Sequence, residues 1–324
     1  MKHGFVSNYT LSTDVCHQPD LRGLEGIFIE PLSIATTQEL FPLFGGSKLT
    51  VNNDILLPAA MYWSGGDKFT GGVHAGEPWE DKFDSLVWRG VATGGWNKEQ
   101  NWRGFHRHRF VAMNNGTIVQ QAEDGLPPPN FQLPGDEYQL VARDARRLGT
   151  WINSWADVAF VDLSCSPSDS TVDDPSRCNY TDPYFDKVSI MPMTKQFRYK
   201  YLADVDGNSF SGRYLGFLRS VSLPIKATMW REWHDSRLVA WKHFVPMDNR
   251  FVEYYAIMQY FLGVGDLPGH DEEAKMIAME GKAWADQVLR QEDMQIYTLR
   301  LLLEYARVSD ERREHMGWVE DLAR

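Results

Sequence analysis

The residues best suited to chemistry lie in Asp204-Val205-Asp206-Gly207-Asn208-Ser209-Phe210-Ser211-Gly212-Arg213. Asp206-Gly207-Asn208-Ser209 carries turn chemistry, and Tyr199, Tyr201 and Val205 before it favour a strand. Ser211 is placed to cap a helix through Tyr214, Leu215, Phe217 and Leu218. A strand feeding a helix through such a turn aims backbone N–H groups and the positive dipole end at one spot, which suits an anion. Arg213 adds a planar, permanently charged fork for phosphate. A second small-residue turn, Val91-Ala92-Thr93-Gly94-Gly95, follows a strand-like run at 85–90. Either stretch alone also fits an ordinary strand–loop–helix connection.

Elements after residue 85 alternate in type. Strands are expected at 158–163, 221–228 and 243–247, a helix at 250–263, and nearly continuous helix at 272–307. That alternation predicts an α/β fold with a doubly wound parallel sheet. In such sheets ligands sit beyond the carboxyl ends of the strands, so both turns would share one edge. Residues 1–84 read as a smaller N-terminal region, with a brief strand at 26–31 stopped by Pro31. Residues 85–270 read as a Rossmann-like nucleotide-binding domain, and 271–324 as helices packing back on it. The only concentrated positive segment holds Arg103, Arg107 and Arg109, and Leu126-Pro127-Pro128-Pro129 is a stiff spacer.

The chain has 324 residues, 43% of them hydrophobic, enough for two modest domains. Its net charge of −11 argues against a nucleic-acid backbone binder. Of three cysteines, Cys165 and Cys178 flank a polar run that a disulfide would staple, and Cys16 is left over. Cys/His spacing for zinc is absent. Sequons at Asn8, Asn115 and Asn179, with the cysteine pair, favour a secretory lumen (Golgi or ER). No apolar run approaches the ~20 residues of a membrane span and no signal peptide opens the chain. Lumenal residence or membrane attachment would need a segment upstream.

Three ordered blocks resemble the family 90 glycosyltransferases, which share the capsule-associated-protein domain of animal protein O-glucosyltransferases and fungal xylosyltransferases. They are Trp88-Arg89-Gly90-x-x-Thr93-Gly94, then Lys200-Tyr201-Leu202-x-Asp204-Val205-Asp206-Gly207-x-x-x-Ser211-x-Arg213, then Glu232-Trp233 with Leu238-x-x-Trp241-x-His243-x-Val245-Pro246. The resemblance implies a GT-B fold, two Rossmann-like halves facing a cleft. It also implies inverting transfer from a UDP-sugar to a glycan or protein hydroxyl, with no required metal or other cofactor. Arg89, Gly90, Thr93, Gly94, Asp206, Gly207, Ser211 and Arg213 would hold the nucleotide-sugar, Arg213 would assist departure of UDP, and Glu232 would bind the ribose. The family's base stands in an Arg-Asp-x-Pro type turn, whose place here is Ile29-Glu30-Pro31, making Glu30 the candidate, with Asp14 and Asp20 behind it. Val91-Ala92-Thr93 stands where animal members carry Ser-Arg-Thr, so Arg103, Arg107 or Arg109 would replace the missing cation. The central block is nearer the fungal wording, which ranks UDP-xylose ahead of UDP-glucose and gives a β-linked product.

Two other readings compete. Asp204-Val205-Asp206 is an Asp-x-Asp whose carboxylates share a strand face and could hold Mn²⁺ in a GT-A enzyme. Alternatively the chain is a non-catalytic nucleotide- or sugar-binding relic. The short N-terminal region, with ~84 residues before the boundary, and the missing Ser-Arg-Thr support the relic.

Overall fold

The computed structural model describes residues 4–32, 42–72, 75–164 and 178–315. Strands β1 (Phe83–Val91), β2 (Ala156–Asp162), β3 (Tyr199–Val205), β4 (Leu223–Ala227) and β5 (Val245–Pro246) form one parallel sheet. Their order is β2-β1-β3-β4-β5. Burial on both faces explains why β3 and β4 read as near-continuous apolar runs.

The longer helices are α1 (His106–Met113), α2 (Gly116–Glu123), α3 (Leu148–Trp155), α4 (Tyr214–Arg219), α5 (Tyr254–Leu262), α6 (Asp271–Val288) and α7 (Gln291–Ser309). Strand alternation sorts the core. Trp88, Tyr201, Ala203 and Ile225 pack on one side with Phe110 of α1, Ile152 of α3 and Tyr254 of α5. Val87 and Leu202 face the other side, against Phe217 of α4 and Phe197. Helices thus cover both faces, as the alternation predicted.

Two expectations are corrected, at 26–31 and at Ser211, while the nearly continuous helical stretch is observed and resolves into two helices. Gly26–Ile29 is a one-turn helix rather than a strand. Ile27-Phe28-Ile29 is too short an apolar run to distinguish the two by pattern, and Ile27 settles among Val15, Leu21 and Leu49. The helical stretch at 272–307 is two helices, because Arg290 turns extended and its N–H donates to Asp293 Oδ2 at 2.9 Å, opening a new N-terminus. Ser211 does not cap α4. That helix begins after Arg213, with no side-chain cap.

Among the described residues the remaining sheets are two-stranded pairs, Phe44–Gly45 with Ile55–Leu56 and Gly263–Val264 with Leu267–Pro268. The five-stranded parallel sheet with its covering helices is Rossmann-like. No described helix is long and apolar enough to cross a membrane. Two sequon asparagines have a local use as helix caps. Asn8 Oδ1 accepts from Leu11 N–H, and Asn115 Oδ1 from the N–H groups of Thr117 and Ile118. Cys178 is buried and disulfide-bonded, Cys16 is free and exposed, and Cys165 lies outside the described residues.

Candidate functional site

The chain leaves β1 toward β2 on one side, while β3 continues toward β4 on the other, so the carboxyl ends of β1 and β3 form a topological switch point. Both small-residue turns lie there and are stitched together. Asn208 Oδ1 accepts from the N–H groups of Gly94 at 2.8 Å and Gly95 at 3.2 Å. Arg107, from the first turn of α1, donates to Val91 O, Thr93 Oγ1, Val205 O and Asp206 O at 2.6 to 3.0 Å. Arg213 Nη1 donates to Arg89 O at 2.6 Å. The turns pack so closely that Gly94, at φ +131°, has no room for a side chain: a Cβ there would stand 2.6 Å from the His106 ring.

A cleft of about 580 Å³ opens over this edge, lined by Thr93, Arg107, Gly207, Ser211 and Arg213, with Phe69 among the residues opposite. Arg107 and Arg213 are its electrostatic core. Burial pushes the Arg107 guanidinium down to about 9, and repulsion from Arg213 adds to the effect. Burial likewise lowers Arg213. Among the described residues neither arginine has a carboxylate partner. A buried and a half-buried cation, bonded only to neutral oxygens, leave a field that a bound dianion would neutralise.

The sequence model of glycosyl transferase family 90 matches residues 167–318. The chain is related to the family 90 glycosyltransferases. Human Protein O-glucosyltransferase 3 is 30% identical over 121 residues, 37% of this chain and 23% of that protein. Human Protein O-glucosyltransferase 1 is 22% identical over 290 residues, 89% of this chain and 63% of its own length. O-glucosyltransferase rumi of Drosophila melanogaster is 25% identical over 271 residues, 82% of this chain and 55% of that protein. The chain spans less than two thirds of each of these relatives.

The family 90 motif residues fall into two groups. Gly90, Thr93, Gly207, Ser211 and Arg213 line the cleft, and the buried Ser211 hydroxyl has no partner among the described residues. Arg89 also borders it, but its guanidinium is ion-paired with Asp157 of β2. Gly94 lies just behind. The Asp206 carboxylate points into the fold, accepting from Thr228 Oγ1 at 2.7 Å and Met229 N–H at 2.8 Å, and burial pushes its carboxyl up. Asp204 is ion-paired with Lys226 Nζ at 2.7 Å. A metal ion on this Asp-x-Asp would have to displace that ammonium, so the pair does not present two open carboxylates. Glu232 is buried, accepting from Tyr62 O–H at 2.8 Å with Lys226 at 3.6 Å and His234 at 3.5 Å. In this arrangement a ribose would reach it only after Tyr62 moved.

Glu30 sits behind the first turn. Its carbonyl accepts from Trp96 N–H at 2.8 Å, and its carboxylate, 40% exposed, is 2.9 Å from Lys98 Nζ. Asp14 accepts from His17 and Thr50, and Asp20 pairs with Arg250. Of the three arginines considered as substitutes, Arg107 alone reaches the turns. Arg103 stacks on Trp102, and Arg109 bonds to Leu24 O and Asn249 O.

Sequence reasoning missed two supports. Asn208 reads only as a turn former. Glu25, a buried carboxylate, holds His106 Nδ1 at 2.7 Å, while His106 Nε2 bonds Asp206 O at 2.7 Å. No local spacing signals that link, since Glu25 is far from His106 in sequence.

Proposed function

We propose that this chain carries the nucleotide-sugar half of an inverting GT-B glycosyltransferase, moving glucose or xylose from a UDP-sugar to a protein or glycan hydroxyl. The observation that carries the reading is the Arg107–Arg213 pair, one guanidinium buried and one half-buried at the cleft, neither ion-paired to a carboxylate among the described residues, at the switch point of a parallel sheet. A diphosphate leaving group supplies the missing charge. The family match and the relatives' names support sugar transfer to protein, and bring UDP-glucose level with UDP-xylose. The sequons and the Cys178 disulfide support work in a secretory lumen.

In the proposed step the acceptor oxygen bonds to the anomeric carbon as the bond from that carbon to the phosphate oxygen breaks. The acceptor proton passes to a carboxylate, and the electron pair leaves on UDP. Arg213, with the charge of Arg107 beside it, stabilises that departing charge. No step is assigned to a metal. Titration with UDP, followed by transfer and hydrolysis assays with both donors with and without EDTA, tests the reading. UDP should bind at the two turns, one donor should turn over, and EDTA should leave the rate unchanged. Loss of turnover in EDTA would instead require a divalent ion, and UDP binding without turnover would support the relic.

Glu30 is the proposed base. It does not line the cleft, so to take a proton its carboxylate must release Lys98 and Asn101 and swing past the first turn to the acceptor. Glu30→Gln is expected to lower kcat by roughly 10²–10⁴ with UDP affinity unchanged. Wild-type turnover in this variant would move the base elsewhere.

A further inference from the structure

His106, the first residue of α1, is buried and wedged between the two turns of the cleft edge. Its Nε2 lies 2.7 Å from Asp206 O of the second turn, and its Cε1 is the atom that leaves Gly94 of the first turn no room for a side chain. A carbonyl oxygen only accepts, so Nε2 carries its hydrogen. Asp206 O takes a second bond from Arg107 Nε at 2.6 Å, and two donors fill its two lone pairs. Together they fix the plane of the peptide joining Asp206 to Gly207, where the cleft-lining run 207–213 starts. Behind the imidazole, Glu25 Oε2 stands 2.7 Å from Nδ1, and Glu25 is buried too. One proton lies between these atoms, since two lone pairs at that distance would repel. Glu25 immediately precedes the one-turn helix at 26–29, which is packed on the first turn. Trp96 N–H donates to Glu30 O at 2.8 Å, and a Cβ on Gly26 would stand 2.2 Å from Gly94 O. A buried ionisable pair often adds nothing to stability over apolar residues of the same volume, so its placement here calls for another account.

We propose that Glu25 and His106 are positioning residues for the diphosphate. Through them the N-terminal region holds the peptide between Asp206 and Gly207, and with it the run that meets the phosphates. The inference rests on the reading that UDP binds at the two turns. Neither side chain lines the cleft, so both act through the second turn rather than on the ligand. Their effect therefore falls on the phosphate end of the nucleotide and spares the uridine. Arg107 does not substitute for His106. Its Nε, Nη1 and Nη2 are all engaged, with Asp206 O, with Val91 O and Thr93 Oγ1, and with Val205 O.

Calorimetric titration of the full chain with UDP and with UMP tests this, because the ratio of the two affinities isolates the β-phosphate. Two double variants are compared, both carrying Glu25→Gln so that no buried charge is stranded. With His106→Leu the donor to Asp206 O is lost, and the preference for UDP over UMP should fall about tenfold. With His106→Gln an amide N–H takes the place of Nε2–H, and most of the preference should return. A merely structural role would weaken UDP and UMP alike and leave the ratio unmoved. Wild type supplies a second readout, which decides alone if the leucine variant does not fold. In spectra of the ¹⁵N-histidine-labelled chain, the His106 ring signals, assigned by their loss in the glutamine variant, should shift with UDP and shift less with UMP. An unmoved ratio in the leucine variant, equal losses in both variants, or His106 signals indifferent to bound UDP would each overturn the proposal. Failure of wild type to bind UDP would instead remove the diphosphate reading beneath it.

Discussion

Replacing Arg213 by alanine should lower kcat and weaken UDP binding together, by about 2–4 kcal/mol in total, the range for losing one preorganised donor to a developing oxyanion. The charge builds on the leaving diphosphate, so the guanidinium acts more strongly in the transition state than in the ground state. Arg213→Lys should recover only part, because a point charge cannot reproduce a bidentate fork. A purely structural Arg213 would behave differently. Its side chain donates to Arg89 O and lies over the rings of Trp88 and Phe217, so truncation removes packing as well as charge. It makes no ion pair with Asp204 or Asp206 among the described residues, so the turn does not depend on it through a salt bridge. Melting temperature and kcat, measured for both variants, separate the roles. A stable alanine variant with unimpaired turnover would end the phosphate assignment, and activity falling only in step with melting temperature would make Arg213 a packing residue.

The edge of the sheet was legible because its signals are local. Apolar runs ending in Asp206-Gly207-Asn208 and Thr93-Gly94-Gly95 mark strand ends whatever the rest of the chain does, and parallel alternation then puts both turns on one edge. Which way each polar side chain turns was not legible. Asp206 reads as a ligand-facing turn residue, yet Thr228 and Met229, from the end of the next strand, draw its carboxylate inward. Arg107 reads as one of three equivalent arginines, and only the docking of α1 against both strand ends selects it. The helix at 26–29 and the Glu25–His106 pair depend on contacts across long stretches of chain, to which hydrophobic periodicity is blind.

Lys226→Met should destabilise the fold by about 3–5 kcal/mol, the range for breaking a buried ion pair by removing one partner. Lys226 stands directly opposite Asp204 in the β3–β4 register, with its ammonium 2.7 Å from that carboxylate, 3.6 Å from Glu232 and 3.8 Å from the Tyr214 ring centre. Burial opposes its charge, but Asp204 and Glu232 outweigh it and raise the ammonium above its ordinary range. Methionine leaves the buried Asp204 carboxylate without its counter-ion and Glu232 with His234 alone. Adding Asp204→Asn should return part of the loss, as one of those charges goes. His234 gives the same cluster a pH signature. Burial pushes its imidazolium down, yet Glu232 and Asp235, each 3.5 Å from a ring nitrogen, raise it to about 9. A histidine raised from about 6.5 contributes stability that is full below that pH and lost as pH climbs through the folded value. Urea midpoints of wild type should therefore fall between pH 6.5 and 9 more steeply than those of His234→Gln. Equal slopes would remove His234 from the cluster's energetics, and a Lys226→Met midpoint matching wild type would show that the ammonium does not hold β3 to β4.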